Sequence, residues 1–164
     1  MAKYDFVFQN TGSSATVNSG DPVWFMGSEF NDDRKAVVLS SPRADGSLPE
    51  CNQGSYEATN LSVRGYIDIS KTGGTYTVNG VANCSKASQA LLNDFFLLTQ
   101  STNSKILFRA FYKGLGTMSA VEMRNFNNQT GGFNVVIDAL RVRVASNSEG
   151  NHIWEIDMGL TETR

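Results

Sequence analysis

The chain has 164 residues, of which 40% are hydrophobic and 18% charged, with a formal net charge of −2. That length is ample for one domain with its own core, and the near-balanced charge, with no run of Lys and Arg, argues against a protein that reads nucleic acid through its phosphates. No apolar stretch approaches the roughly 20 residues of a membrane-spanning helix, and the opening Met1-Ala2-Lys3-Tyr4 lacks the apolar run of a secretory signal, so a single domain made in a cytosol is expected over residues 1–164.

Gly, Asn, Ser and Thr fill the space left by the low charge, which favours strands joined by turns. Tyr4, Phe6 and Phe8 share one face of a first strand. Polar, turn-forming residues follow from Gln9 to Asp21, and short apolar runs at Val23–Met26 and Ala36–Leu39 read as strands. The charged segment Asn31-Asp32-Asp33-Arg34-Lys35 separates them. Pro42, Asp45-Gly46, Pro49 and Gly54 make the stretch after Leu39 read as an excursion, so a long loop is expected at about 31–57.

Leu61, Val63, Ile67 and Ile69 alternate with polar residues, and Gly65 falls in the apolar row. This is a half-buried strand. It is expected to turn at Lys71–Gly74 and return through Tyr76 and Val78, with Asn79-Gly80 as a competing turn. Ser85 to Gln100 predicts the one helix, capped by Ser85, with Ala87, Ala90, Leu91, Phe95 and Leu98 on one face. Ile106, Phe108, Ala110 and Tyr112 then line one side of a strand whose other side carries Leu107, Arg109 and Phe111, so both faces need cover. The helix is the expected cover for one of them.

The last two strands can be set in register. Phe133, Val135 and Ile137 have one parity and Leu140, Val142 and Val144 the other, so a bulge is expected near Asp138-Ala139. Placing Val142 opposite Ile156 sets Val144 against Trp154 and Leu140 against Met158. The same register sets Arg143 against Glu155 and Arg141 against Asp157, giving two cross-strand charge pairs.

Chemistry is sparse. One histidine, His152, and two separated cysteines, Cys51 and Cys84, do not make a metal-ligand spacing. The chain has no G-x-S-x-G elbow, phosphate-binding glycine loop or calcium loop. Glu155 and Asp157 share a strand face as an acid–base pair would, but Arg141 and Arg143 are placed to neutralise them. No catalytic residue, metal or cofactor is expected. Trp24, Trp154 and Tyr66 suggest a sugar-binding face, which keeps open a β-sandwich module recognising a glycan or protein on a virion or cell surface.

Three stretches carry a family resemblance: Leu61–Ile69, the Ser85–Phe96 segment followed by Lys105–Phe108, and Phe133–Val144 with Ile153–Thr161. In pattern and order they resemble the major tail-tube proteins of long-tailed bacteriophages and the tube proteins of contractile injection systems. The resemblance implies a mostly β fold, a β-sandwich or barrel with one flanking helix at about 85–100. It also implies a structural, non-enzymatic virion protein that assembles into hexameric rings stacked into a hollow tube that conducts the genome during ejection. Its partners would be further copies of itself, other tail proteins such as tape measure, sheath or terminator, and DNA passing without sequence-specific contact, with assembly in the host bacterial cytoplasm and no membrane. The early loop would bridge successive rings, with Asp32, Asp33, Arg34, Lys35, Arg43, Asp45 and Glu50 as its contact residues.

Overall fold

The computed structural model describes residues 3–10, 22–33, 36–41, 43–48, 50–56, 60–68, 75–86, 106–113, 119–123, 131–144 and 153–163. Every element among them is a strand: β1 (Tyr4–Asn10), β2 (Val23–Asp33), β3 (Ala36–Ser41), β4 (Glu50–Tyr56), β5 (Asn60–Asp68), β6 (Thr75–Val78), β7 (Val81–Lys86), β8 (Ile106–Tyr112), β9 (Val121–Met123), β10 (Phe133–Val144) and β11 (Ile153–Glu162). Strands β1, β8, β10, β11, β5 and β2 follow one another around a ring, each antiparallel to its neighbours. The pairing of β1 with β2 closes it into a six-stranded barrel.

The inward rows of these strands make the core. Phe6, Phe8, Phe108, Phe133, Ile106, Ile156, Val135 and Leu160 are at most 1% exposed. The rings of Phe8 and Phe108 have centroids 4.8 Å apart, and those of Phe8 and Phe25 stack at 5.2 Å. A small barrel filled this way is a packed core, with its inward side chains occupying the space a lumen would need.

Two bulges keep the apolar rows facing inward along strands too long for one unbroken parity. In β10 the register shifts between Ile137 and Ala139, as the parity change predicts, and Leu140 and Val142 still pack on the core. In β2 it shifts between Gly27 and Glu29, which passes the inward role from Val23 and Phe25 to Phe30. The β2 bulge adjoins a glycine pair: Gly27 lies opposite Gly65, both inward. A Cβ on Gly27 would enter the Phe6 ring, and one on Gly65 would lie 2.6 Å from the Met26 carbonyl oxygen and 2.7 Å from the Phe25 ring. Both positions suit glycine because aromatic rings, and at Gly65 a backbone carbonyl, occupy the space a side chain would take.

Outside the ring, β6 and β7 form a hairpin whose turn residues Asn79 and Gly80 both have positive φ, 47° and 88°. That is the requirement of a tight two-residue hairpin turn. The expected return of β5 through Tyr76 is therefore corrected: β6 pairs with β7, and β5 lies between β11 and β2. Strand β7 joins β2 in parallel at Val23 and Trp24, and the Ser85 N–H donates to the Pro22 carbonyl at 2.8 Å. The predicted helix consequently does not start at Ser85, because Ser85 and Lys86 complete a strand ladder. Residues 87–100 lie outside the described residues. Phe111, on the outward face of β8, packs with Val7, Val78 and Cys84, so cover comes at this point from the β6–β7 hairpin.

The loop expected at 31–57 is also corrected in its described parts. Asn31–Asp33 continue β2, and β3 pairs with β4 as an antiparallel ribbon. The Gly- and Pro-containing sequence supplies the turn, while Ala36-Val37-Val38-Leu39 supplies a strand that zips to its partner.

Candidate assembly surface

The β3–β4 ribbon is inserted between β2 and β5. It forms a sheet of its own, laddered to no other strand among the described residues. Its paired length, at about 3.3 Å per residue, is roughly 20 Å. An isolated two-stranded ribbon is marginal in water.

The tip of this arm is built locally. The Asp45 carboxylate accepts from the Ser47 backbone N–H at 3.0 Å and from the Ser47 hydroxyl at 2.6 Å. These bonds, the hydroxyl's foremost, hold the Asp45 carboxyl below its ordinary value. Gly46 has φ 72°, and its N–H donates to the Arg43 carbonyl. The turn presents Leu48 with 88% of its surface exposed.

The expected contact residues fall as follows. Arg43 and Asp45 are exposed on the tip, and Asp32 and Asp33 are exposed where β2 ends. Glu50 opens β4. Arg34 and Lys35 lie outside the described residues. Leu48 was missed, although a leucine between Gly46 and Pro49 in a polar turn is the signal that would have found it.

A charge ladder crosses the outer face of β10, β11, β5 and β2. Arg143 pairs with Glu155 at 2.9 Å, as the register predicts. Arg64 on β5 then reaches Glu155 at 3.2 Å, Asp157 at 2.6 Å and Glu29 on β2 at 3.6 Å. The Asp157 hydrogen bond foremost, then the surrounding carboxylates, raises Arg64 above its ordinary value. Arg141 does lie opposite Asp157, but among the described residues no ion pair joins them, and Asp157 pairs with Arg64. Sequence reasoning missed Arg64 and Glu29 because nothing local says that β5 is the second neighbour of β11.

Beneath the β6–β7 hairpin, Asp5 is 5% exposed. Its carboxylate accepts from Trp24 Nε1 at 3.0 Å and Asn79 Nδ2 at 3.1 Å, and pairs with Lys113 Nζ at 2.8 Å. Trp24 packs on Tyr76 with ring centroids 5.6 Å apart, whereas Trp154 packs against the barrel core. The two tryptophans therefore serve opposite faces of the wall. Arg109 grips Glu122 with two hydrogen bonds of 2.7 and 3.0 Å and tethers β9 to β8. Glu122's hydrogen bond raises Arg109. The Cys84 thiol is fully buried, and desolvation pushes it up, away from the thiolate form that reacts.

Among the described residues, no group of three or more His, Cys, Asp or Glu side chains is placed to hold a metal ion, and no helix is long and apolar enough to cross a membrane. His152 lies outside the described residues, and so does the side chain of Cys51.

Strand edges complete the surface. β10 pairs with β8 only along Phe133–Val135, so from Asp138 to Val144 it has β11 on one side and no described strand on the other. β2 pairs with β1 along Val23–Gly27, leaving Ser28–Asn31 with β5 on one side and no described strand on the other. Alternation through β11 and β5 makes β10 and β2 run in opposite directions. These two edge segments, which no described strand covers, lie at the two margins of the β10–β11–β5–β2 sheet. No protein-family model matches the chain, and no curated protein matches it by sequence.

Proposed function

We propose that this chain is a structural subunit that polymerises as a tail-tube protein does, in rings that stack into a hollow tube. The observation that carries this reading is the β3–β4 arm, a ribbon with its own ordered tip that leaves a closed, filled barrel. A filled barrel provides no lumen, so any conduit is formed between subunits. The edge segments of β2 and β10 that no described strand covers suit lateral joining within a ring, and the arm suits contact between rings. Hexameric rings, genome passage, a virion location and contact with other tail proteins follow from the resemblance named above and are part of the same proposal.

A surface-recognition module is the less favoured reading. Trp24 has its indole N–H on Asp5 and its ring against Tyr76, which occupies the aromatic face a sugar would use. Negative-stain electron microscopy of the purified protein tests the assembly reading. Rings or tubes are expected as concentration rises; a strictly monomeric protein at high concentration overturns it.

A further inference from the structure

Asn79-Gly80 is the one Asn-Gly pair in the chain. It makes the two-residue turn of the β6–β7 hairpin, with Val78 paired to Val81 across it. Both residues are exposed and both have positive φ. Gly80 carries no side chain to hinder its backbone nitrogen from approaching the Asn79 Cγ, and a Cβ built on it would meet nothing within 4 Å. The Asn79 amide also anchors the hairpin. Its Nδ2 donates to Asp5 Oδ2 at 3.1 Å, while Lys113 Nζ stands 2.8 Å from the other oxygen. That hydrogen bond engages the amide nitrogen and not Cγ. Behind the hairpin the Cys84 thiol is fully buried among Val7, Val78 and Phe111.

We propose that Asn79 is a site of self-modification: it deamidates without an enzyme, and the change frees the β6–β7 hairpin from the barrel wall. The Gly80 nitrogen bonds to Asn79 Cγ, the Cγ–Nδ2 bond breaks, and Nδ2 leaves as ammonia with the proton the Gly80 nitrogen gave up. The product is a five-membered imide. Water then adds to one of its two carbonyls and breaks that carbonyl's bond to the nitrogen, giving aspartate or isoaspartate. Both products lack the Nδ2 donor. Aspartate sets a second carboxylate against Asp5, so Lys113 must balance two like charges that disfavour each other. Isoaspartate adds a carbon to the main chain inside a two-residue turn, whose fixed geometry holds Val78 opposite Val81. The change needs no second copy of the chain.

A Cys51→Ser protein, which keeps Cys84 as its one thiol, is incubated in warm, mildly alkaline buffer and sampled over time. Peptide mapping by mass spectrometry is expected to show the mass gain of amide-to-acid exchange accumulating at Asn79. Asn79→Gly, a residue that also accepts positive φ, should show none there. Thiol labelling of the native protein reads the hairpin. Cys84 in the deamidated fraction is expected to react roughly tenfold faster than in fresh protein, the factor for losing one hydrogen bond to a charged group. Asn79→Asp should react as fast without incubation. An Asn79 that stays an amide in the folded protein after a free peptide of residues 75–86 has deamidated overturns the site and shows that the Asp5 bond protects it. Deamidated protein that labels at the fresh rate overturns hairpin release, whether or not Asn79→Asp folds.

Discussion

Arg64 on β5 and Asp157 on β11 stand directly opposite each other, with the guanidinium Nε 2.6 Å from a carboxylate oxygen. The same guanidinium lies near Glu155 and Glu29, so one cation on β5 sits among three anions on its two neighbouring strands, β11 and β2. Removing it leaves like charges facing each other. Arg64→Ala is expected to lower the melting temperature, with the loss shrinking in high salt as the carboxylates are screened. Arg141→Ala, which removes no ion pair among the described residues, is expected to leave it unchanged. Thermal melts of both variants at low and high salt check this.

The Gly27–Gly65 pair makes a second, sharper expectation. Gly65→Ala puts a methyl against a backbone carbonyl that cannot swing aside and against the buried Phe25 ring. Overpacking of this kind costs about 3 kcal/mol. For a domain of this size that lowers the melting temperature by roughly 6–12 °C. Differential scanning calorimetry reads it, and Gly65→Ala melting with the wild type would show that the strands separate more easily than the packing implies.

These cases also mark what was legible in the residues. The β10–β11 register and the Asp138 bulge could be read because a period of two, a parity change and matched charges agree within one local hairpin. The β2 bulge could not, since Val23-Trp24-Phe25-Met26 is apolar on both faces and hides its own parity. Arg64 lies in the polar row of an easily read strand, yet its partners belong to β11 and β2, and neighbours distant in sequence leave no local trace. Ser85 carried a good helix-capping signal that lost to a hydrogen bond with Pro22. In the arm, Ala36–Leu39 read as a strand, but the stretch after it read as a loop because Gly and Pro mark the turn, and the pairing that makes a ribbon depends on a register that Ala36–Ser41 and Glu50–Tyr56 show only together.

Asp5 ties three elements to the outer wall. Asp5→Ala removes the acceptor for Trp24 Nε1 and Asn79 and the partner of Lys113. Leaving buried donors without their acceptor costs about 2 kcal/mol. Asp5→Asn keeps an oxygen for Trp24 and loses the ion pair, which Lys113, 39% exposed, partly recovers from water; about 1 kcal/mol is expected. Urea denaturation followed by tryptophan fluorescence measures both, and equal losses for the two variants would show that the ion pair, not the hydrogen bonds, anchors the hairpin.

The arm tip should respond to acid with a defined sign. Hydrogen bonds from Ser47 lower Asp45 from 3.8, so the folded turn favours the ionised carboxylate. Its contribution is complete above that ordinary value and is lost as pH falls through the lowered one. The Ser47 amide resonance is expected to titrate with a midpoint below 3.8, and stacking should weaken in the same window. Asp45→Ala should abolish the Ser47 titration. A midpoint at or above the ordinary value would mean that the turn does not hold the charge.

The arm and the barrel are separable in the ladder of hydrogen bonds, and this gives the broadest test. β3 and β4 pair with each other and with no other described strand, so replacing Ala36–Tyr56 with a short Gly-Ser linker removes no rung of the barrel. The barrel is expected to stay folded, because its own ladder of hydrogen bonds is intact. Rings should still form, because the β2 and β10 edges are untouched, but they should not stack. Calorimetry and electron microscopy of the same preparation separate the outcomes. A folded variant that still builds long tubes would assign stacking to another surface, and one that fails to fold would show that the arm supports the barrel through contacts beyond the strand ladder.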